Sequence, residues 1–364
     1  MKLNRRRLVA TALAAVPPAA AQTPNQPPAP GAGPSPDFVR FQSMINGYRL
    51  SQMLYVAAKL RIADLLTAGP LPVEDLARQA KAHEDSLYRV LRTLASAGVF
   101  SEESGRRFAL NPLARLLVSQ PGSLRVTAEV TGEPWYWRPF GEMLHTVKTG
   151  ETAFDYLYGK HTWEWFAEHP EPAALFDAYM GEVTGNETRA VIGGYDWRPF
   201  RKVVDIGGGN GTLLSAVLRE APAARGTLFD LPHVVEGAKK ALRPEAASRI
   251  ETVSGDFFRS LPAGGDLYLL KNILHDWNDA KCREILAAIR RATPASARML
   301  VIEGIICGPN QPCSGKNSDV TMMVRNGGRN RTEVEYRDLL RAGGFSMTKV
   351  IPTPGPGLIE AQPA

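Results

Sequence analysis

The chain has 364 residues, of which 44% are hydrophobic and 22% charged. It is long and apolar enough to bury an α/β core together with a second, helical unit. No run of about 20 apolar residues occurs after residue 40, which argues against a membrane-spanning helix there. The formal net charge is +6, but a basic cluster before residue 8 contributes +4 of it. The remaining chain carries a charge of about +2, so we expect no nucleic acid or other polyanionic partner.

The first 36 residues predict a leader and a spacer. Residues 1–7 are basic, residues 8–16 are apolar, and three alanines precede Gln22. This order is typical of a bacterial export signal over residues 1–21, and the adjacent arginines indicate the twin-arginine route to the periplasm. Residues 22–36, rich in proline and alanine, predict a disordered spacer. The alternative is a disordered tail on a cytoplasmic protein.

Residues 37–125 predict a small helical domain that ends in a hairpin. Apolar residues recur at helical spacing from residue 38 to 66, two shorter helical segments follow, and a basic turn at 105–107 lies beyond them. Helix, turn, helix and hairpin is the order of a winged helix. A DNA-binding regulator is therefore an alternative, although the segment 86–94 offers only two arginines. That alternative requires salt-dependent binding to duplex DNA.

Residues 126–190 predict a helical linker that is rich in aromatic side chains. Tryptophan, tyrosine and phenylalanine cluster at 135–140 and again at 163–166. Such side chains on helices more often pack in a core than line a pocket, and the residues alone leave both interpretations open.

Residues 191–354 predict a doubly wound α/β sheet. The apolar run Lys202–Ile206 opens into a glycine turn from Gly207 to Gly211, followed by a helical run. This is where such sheets bind nucleotides, because glycine lets a ligand approach the backbone. Thr212 stands where a G-x-G-x-x-G pattern starting at Gly207 needs its last glycine. The turn therefore suits a smaller adenosine-containing ligand better than a dinucleotide.

Polar side chains also follow the next predicted strands. Asp230, about 20 residues after the glycines, is suited to bind both ribose hydroxyls. Asp256 precedes two phenylalanines, a combination that suits an adenine ring. A fourth strand leads through Lys271 to His275. Each acid alone could be a helix cap or a solvated turn residue, but together they indicate one site at the edge of the sheet.

Five segments recur in an order that resembles a known family: VDIGGGNG, FDLPHV, GDFF, LKNILHDW and GGRNRTEVEYRDLLRAGGF. They look like the plant-type O-methyltransferases that use S-adenosylmethionine, including the bacterial relatives of caffeic-acid and hydroxyindole O-methyltransferases. The resemblance runs from residue 38 to 350. It implies a Rossmann-like sheet with helices on both faces, a winged-helix dimerisation domain before it, and a homodimer. It also implies a small planar acceptor, bound between residues 126–190 and the tip of the sheet.

The resemblance assigns cofactor contacts to five residues: Gly207, Asp230, Asp256, Phe257 and Lys271. It implies that His275 is the general base. Methyl transfer from a sulfonium needs an acceptor held in line and its proton removed, and an imidazole can take that proton from a phenol. For Asp276 we favour a role as a helix cap.

Two acids orient the base in the resembling family. Glu303, at the end of a fifth strand, matches the first, whereas Asn330 stands where the second glutamate is expected. Asparagine can hydrogen-bond an imidazole but cannot stabilise an imidazolium by charge. A further alternative is therefore an exported protein that keeps the fold as a non-catalytic binder.

The three cysteines leave their redox state open. Cys307 and Cys313 can pair across a short loop in an oxidising compartment or stay free thiols, and one of the three must stay unpaired within a monomer. No cysteine and histidine cluster has zinc spacing, so we expect no metal. Residues 355–364 are expected to form a tail.

Overall fold

The computed structural model describes residues 33–364. The leader predicted at 1–21 and the spacer predicted at 22–36, except for its last four residues, lie outside that range. The helices of the described part are α1 (Pro36–Lys59), α2 (Ile62–Leu65), α3 (Val73–Ala80), α4 (Glu84–Ser96), α5 (Arg125–Gly132), α6 (Pro134–Gly141), α7 (Met143–Thr149), α8 (Ala153–Tyr158), α9 (Thr162–Glu168), α10 (Pro170–Gly193), α11 (Thr212–Glu220), α12 (Pro232–Ala241), α13 (Pro244–Ala247), α14 (Asp279–Ala292), α15 (Ser314–Arg325) and α16 (Glu333–Ala342). The strands are β1 (Leu71–Pro72), β2 (Ser101–Glu103), β3 (Arg107–Ala109), β4 (Lys202–Ile206), β5 (Arg225–Asp230), β6 (Ile250–Ser254), β7 (Leu267–Lys271), β8 (Arg298–Glu303), β9 (Phe345–Ile351) and β10 (Gly357–Pro363).

The N-terminal unit packs α1 to α4 around its own apolar core. The predicted long helix is interrupted at Arg61, whose φ of 54° ends the helical ladder between α1 and α2. The predicted hairpin is present as β2 and β3, and β1 joins it to give an antiparallel sheet in the order β1-β3-β2. Leu76, Leu91 and Phe108 are fully buried where helices and sheet meet.

A seven-stranded sheet forms the C-terminal domain, in the order β6-β5-β4-β7-β8-β10-β9. The five strands from β6 to β8 are parallel, so their carboxyl ends meet at one edge. The strand predicted at 202–206 is confirmed as β4, and the strands predicted before Asp230, Asp256, Lys271 and Glu303 are present as β5, β6, β7 and β8.

Strand alternation divides the central side chains between two cores. On β7, Tyr268 and Leu270 point into a cluster with α14 and α16. Leu267 and Leu269 point into the opposite cluster, which contains α11. All five β7 residues are buried, as expected for a parallel strand covered by helices on both faces.

The last residues form a strand, so the tail predicted for 355–364 is wrong. β10 lies between β8 and β9 and pairs antiparallel with both. Leu358 and Ile359 are fully buried on opposite faces. Glu360 obscured this pattern in the sequence; its carboxylate is held by the hydroxyls of Thr348 and Tyr195.

The described cysteines divide into a pair and a single residue. Cys307 and Cys313 form a disulfide with 6.2 Å between their Cα atoms. Cys282 is a free, buried thiol. Within residues 33–364, no helix has the length and apolar character needed to cross a membrane.

Candidate active site

A cavity of about 730 Å³ opens at the carboxyl edge of the parallel strands. The glycine turn after β4 and the tips of β5, β6 and β7 form one side of it, and α9, α10 and α15 form the other. Six of the eight residues for which the sequence predicted a role in the site line the cavity: Gly207, Asp230, Asp256, Phe257, Lys271 and His275. Glu303 and Asn330 lie outside it.

The turn after β4 requires glycine at its first position. Gly207 has a φ of +67°, and a Cβ there would stand 2.3 Å from Cδ1 of Ile273. The backbone conformation therefore disfavours a larger residue, and the side chain of Ile273 would have to shift to admit one. Gly211, with a φ of +78°, precedes the first residue of α11.

Two carboxylates lie at neighbouring strand tips on the cavity wall. Asp230 accepts hydrogen bonds from the backbone N–H of Gly209 at 2.9 Å and of Leu231 at 2.7 Å. Burial nevertheless raises the pKa of Asp230 above its ordinary value. Asp256 accepts from the N–H of Phe258 at 2.9 Å and keeps 40% of its side chain exposed. The ring of Phe257 contributes apolar surface beside it.

Lys271 connects the tip of β7 to α10. Its Nζ lies 2.7 Å from Oε2 of Glu187 and 3.3 Å from Oγ1 of Thr184. The lysine side chain is only 6% exposed, so the ion pair fixes the ammonium inside the site. Asp205 is also buried at the cavity, where Lys271 partly offsets the rise in its pKa that burial causes.

His275 lies in a short 3₁₀ turn, Leu274–Asp276, that directly follows β7. Its Nε2 is 3.7 Å from Oδ1 of Asp276, and its Nδ1 is buried without a hydrogen-bond partner among the described residues. Asn326, at the end of α15, donates from Nδ2 to Oδ1 of Asp276 at 2.6 Å. The prediction that Asp276 caps the next helix is wrong, because Asn278 is the N-cap of α14.

Glu303 makes no hydrogen bond to the imidazole of His275, so the predicted direct contact is corrected to a contact with the backbone. Its Oε1 accepts from the backbone N–H groups of Ile273, Leu274 and His275 at 2.6–3.2 Å. Its Oε2 accepts from the hydroxyl of Tyr336. A buried carboxylate at the end of β8 satisfies the free N–H groups of the turn after β7, because these groups have no partner in the sheet.

Asn330 does not reach the imidazole either. Its Nδ2 donates to the carbonyl of Gly304 at 2.8 Å, and its N–H donates to Asp319 at 2.8 Å. The side chain is fully buried. Asn330 therefore fixes the loop after β8 against α15.

The remaining wall of the cavity is aromatic. Tyr136, Trp163, Phe166, Phe176 and Tyr179 line it from α6, α9 and α10. Several of these rings pack edge to face with one another, which fixes their positions. Burial raises the pKa of Tyr179 well above its ordinary value, so this phenol stays neutral at physiological pH.

Two family profiles match the chain: an O-methyltransferase domain over residues 137–346 and an O-methyltransferase dimerisation domain over residues 42–120. The chain belongs to the O-methyltransferase family. It is 45% identical over 323 residues to phenazine O-methyltransferase PhzM of Lysobacter antibioticus, covering 88% of this chain and 94% of that one. It is 36% identical to the mitomycin biosynthesis 6-O-methyltransferase of Streptomyces lavendulae, covering 91% and 95%.

A solved structure of the O-methyltransferase NcsB1 from neocarzinostatin biosynthesis superposes with a TM-score of 0.76. It is 30% identical, with 86% of this chain and 96% of that chain covered, and it contains S-adenosylmethionine and 2-hydroxy-5-methyl naphthoic acid. This methyltransferase is thus an S-adenosylmethionine-dependent enzyme. Its own residues fit that cofactor, because a glycine turn, two carboxylates at adjacent strand tips and a phenylalanine surround one part of the cavity.

Sequence reasoning missed three polar residues of the site. Asp276 was assigned to a helix cap, and Asn326 and Arg325 were not considered. The sequence feature that could have identified Arg325 and Asn326 is their position at the end of a methionine-containing helix, directly before Gly327-Gly328. Only the packing of α15 against the turn at 274–276 brings that pair to the cavity.

Proposed function

We propose that this methyltransferase methylates a hydroxyl group of a small planar aromatic compound, with His275 as the general base. One observation carries the proposal: the strand-tip carboxylates, His275 and a wall of aromatic rings all face one continuous cavity. The phenazine and naphthoic acid in the names of the relatives support a fused-ring acceptor.

Five residues would hold the cofactor, as the family resemblance implies. Asp230 would accept from the ribose hydroxyls, and Asp256 with Phe257 would bind the adenine. Gly207 and Lys271 would complete that side of the cavity. S-adenosylmethionine, when bound, supplies the methyl group.

His275 would remove the proton of the acceptor hydroxyl as the new bond forms. An ordinary phenol has a pKa of about 10, so it needs a base to become nucleophilic near neutral pH. The carboxylate of Asp276, 3.7 Å from Nε2, would stabilise the imidazolium that results. Burial raises the pKa of Asp276, whereas His275 and the amide of Asn326 oppose that rise and favour the charged form.

The test compares His275→Ala with His145→Ala, a histidine outside the cavity. Methyl transfer is measured with a panel of hydroxyarenes that includes a hydroxyphenazine, and S-adenosylhomocysteine binding is measured by calorimetry. We expect His275→Ala to lower kcat by about 10²–10⁴-fold while cofactor affinity stays within a few-fold. Unchanged turnover in that variant would falsify the assignment of the base.

The same experiment separates the enzyme from the non-catalytic alternative. Cofactor binding without methylated product from any hydroxyarene would favour an exported binder that retains the fold. Product from wild type, lost in His275→Ala and kept in His145→Ala, would support the proposed reaction.

The chain would associate with a second copy of itself to form a homodimer. The dimerisation domain match supports it, as does α1, which exposes apolar side chains along one side. Its exposed members are Phe38, Phe41, Met44, Ile45 and Tyr48.

A further inference from the structure

Arg325 is a buried cation on the wall of the cavity. It is 2% exposed and lines the cavity from the last turn of α15. Its neighbours in sequence are paired: Arg329 with Glu335, and Arg331 with Asp279. Arg325 forms no ion pair with any carboxylate of residues 33–364, and its Nε and Nη2 have no hydrogen-bond partner there.

The guanidinium is fixed among aromatic rings. Its Cζ lies 4.3 Å from the ring centroid of Tyr136 and 5.7 Å from that of Phe176, and both rings also line the cavity. Trp135 and Phe154 lie within 6 Å on the side of the core. Thr162 anchors the backbone by donating to the carbonyl of Arg325 at 2.7 Å. Cation–π contacts stabilise the charge, but they leave the donors at Nε and Nη2 without an acceptor among residues 33–364.

Burying an ionised group without an acceptor is costly, and here burial lowers the pKa of Arg325. Asp276, a cavity carboxylate whose charge acts on Arg325, is already bound by Asn326. A ligand anion would therefore supply what the protein does not. A carboxylate matches best, because its two oxygens accept from the planar guanidinium in parallel.

We propose that Arg325 binds a carboxylate on the aromatic acceptor, so that the substrate class is hydroxylated arene carboxylic acids. This inference rests on the proposed function, since it concerns the acceptor of the same reaction. The arene would pack against Tyr136 and Phe176, and the carboxylate would lie at the guanidinium. The hydroxyl group of the arene would point to His275, which lies on the same cavity wall as Asn326 and Asp276.

The test uses pairs of acids and their neutral carboxamides: a hydroxybenzoate, a hydroxynaphthoate and a hydroxyphenazine carboxylate. Binding to the full chain, saturated with S-adenosylhomocysteine, is measured by calorimetry for wild type, Arg325→Gln, Arg325→Lys and the surface control Arg341→Gln. We expect wild type and Arg341→Gln to bind at least one acid about 10- to 100-fold more tightly than its amide. Arg325→Gln should lose that preference and keep amide binding, and Arg325→Lys should restore part of it.

Two results would overturn the inference. One is wild type that binds no acid more tightly than its amide, a measurement that does not depend on the folding of any variant. The other is an Arg325→Gln protein that keeps the full preference. If instead S-adenosylhomocysteine itself does not bind wild type, the proposed function fails before the acids are compared, so the two failures are distinguishable.

Discussion

At the scale of single residues, the site contains ionisable groups that the protein keeps largely away from water. Asp205, at the end of β4, is 1% exposed, and its Oδ2 has no partner among the described residues. Burial and the nearby Asp230 raise the pKa of Asp205 from 3.8 to about 7, although Lys271 opposes the shift. Ionisation of this buried carboxyl group lowers the free energy of unfolding. A cofactor-binding site can tolerate that loss, because the bound ligand stabilises the folded state.

Asp205 gives a pH-dependent prediction. An acid with a higher pKa in the folded protein binds more protons there than in the unfolded chain, so its contribution to stability falls as the pH rises through 3.8 to about 7. Asp205→Asn removes this loss. We expect the free energy of unfolding of the variant, relative to wild type, to increase by on the order of 2 kcal/mol between pH 5 and pH 8. Urea unfolding at both pH values, without cofactor, measures it.

The control for that comparison is Asp338→Asn, on the exposed side of α16. Its stability difference from wild type should change little between the two pH values. The free energies of unfolding of Asp205→Asn and wild type could instead differ by the same amount at pH 5 and pH 8. That result would mean that Asp205 is already ionised in the folded protein at pH 5.

At the scale of elements, His275, the proposed base, is positioned by an acid that does not touch its ring. Glu303 of β8 holds the turn after β7 through three backbone N–H groups, and Tyr336 of α16 holds the other oxygen of Glu303. Asn272, with a φ of +55°, shows that the backbone turns sharply just before this point. Glu303 is therefore a positioning residue for His275.

We expect Glu303→Ala to lower the free energy of unfolding by about 3 kcal/mol, because three buried N–H groups lose their charged acceptor. Its kcat should fall as His275 moves. The pH dependence of kcat should keep its shape, since the carboxylate does not contact the imidazole. Tyr336→Phe, which leaves the three N–H bonds intact, should cost about 1 kcal/mol and retain most activity. A displaced pH profile in Glu303→Ala would show instead that the carboxylate acts on the ring.

At the scale of the whole molecule, α1 is the helix that the C-terminal domain leaves uncovered. Phe41, Met44 and Ile45 are each 60% or more exposed, although they are large and apolar. They recur at intervals of three and four residues, so they share one face of the helix. An apolar face of this kind on a domain of the dimerisation family is suited to bind a second copy of the chain.

The dimer prediction follows from that face. Wild type should have the mass of a dimer by light scattering, and Phe41→Asp/Ile45→Asp should have the mass of a monomer, because two charges would be buried in the interface. Val334→Asp introduces a charge at an exposed apolar residue of α16 and should remain a dimer. A dimer that persists in the double variant would locate the interface elsewhere.

The sequence predicted the parallel strands and the cofactor side of the site because both depend on local patterns. A buried parallel strand is a continuous apolar run, and the ligand-binding edge follows each run directly, as at Gly207, Asp230, Asp256 and Lys271. The sequence could therefore identify the residues at this edge without revealing the order of the strands in the sheet.

The acceptor side depended on tertiary structure. Asp276, Asn326 and Arg325 meet at the cavity only because α15 packs beside the turn after β7, some 50 residues away in sequence. Tertiary contacts also place Glu303 at backbone N–H groups rather than at the imidazole, and they pair residues 357–363 with β8 and β9 inside the sheet. By itself, the sequence determined the family and the cofactor, and it predicted the base of the reaction. The three-dimensional packing decided which side chains surround that residue. A buried polar group pairs with whatever partner the fold brings within hydrogen-bond distance, however far away that partner is in the sequence.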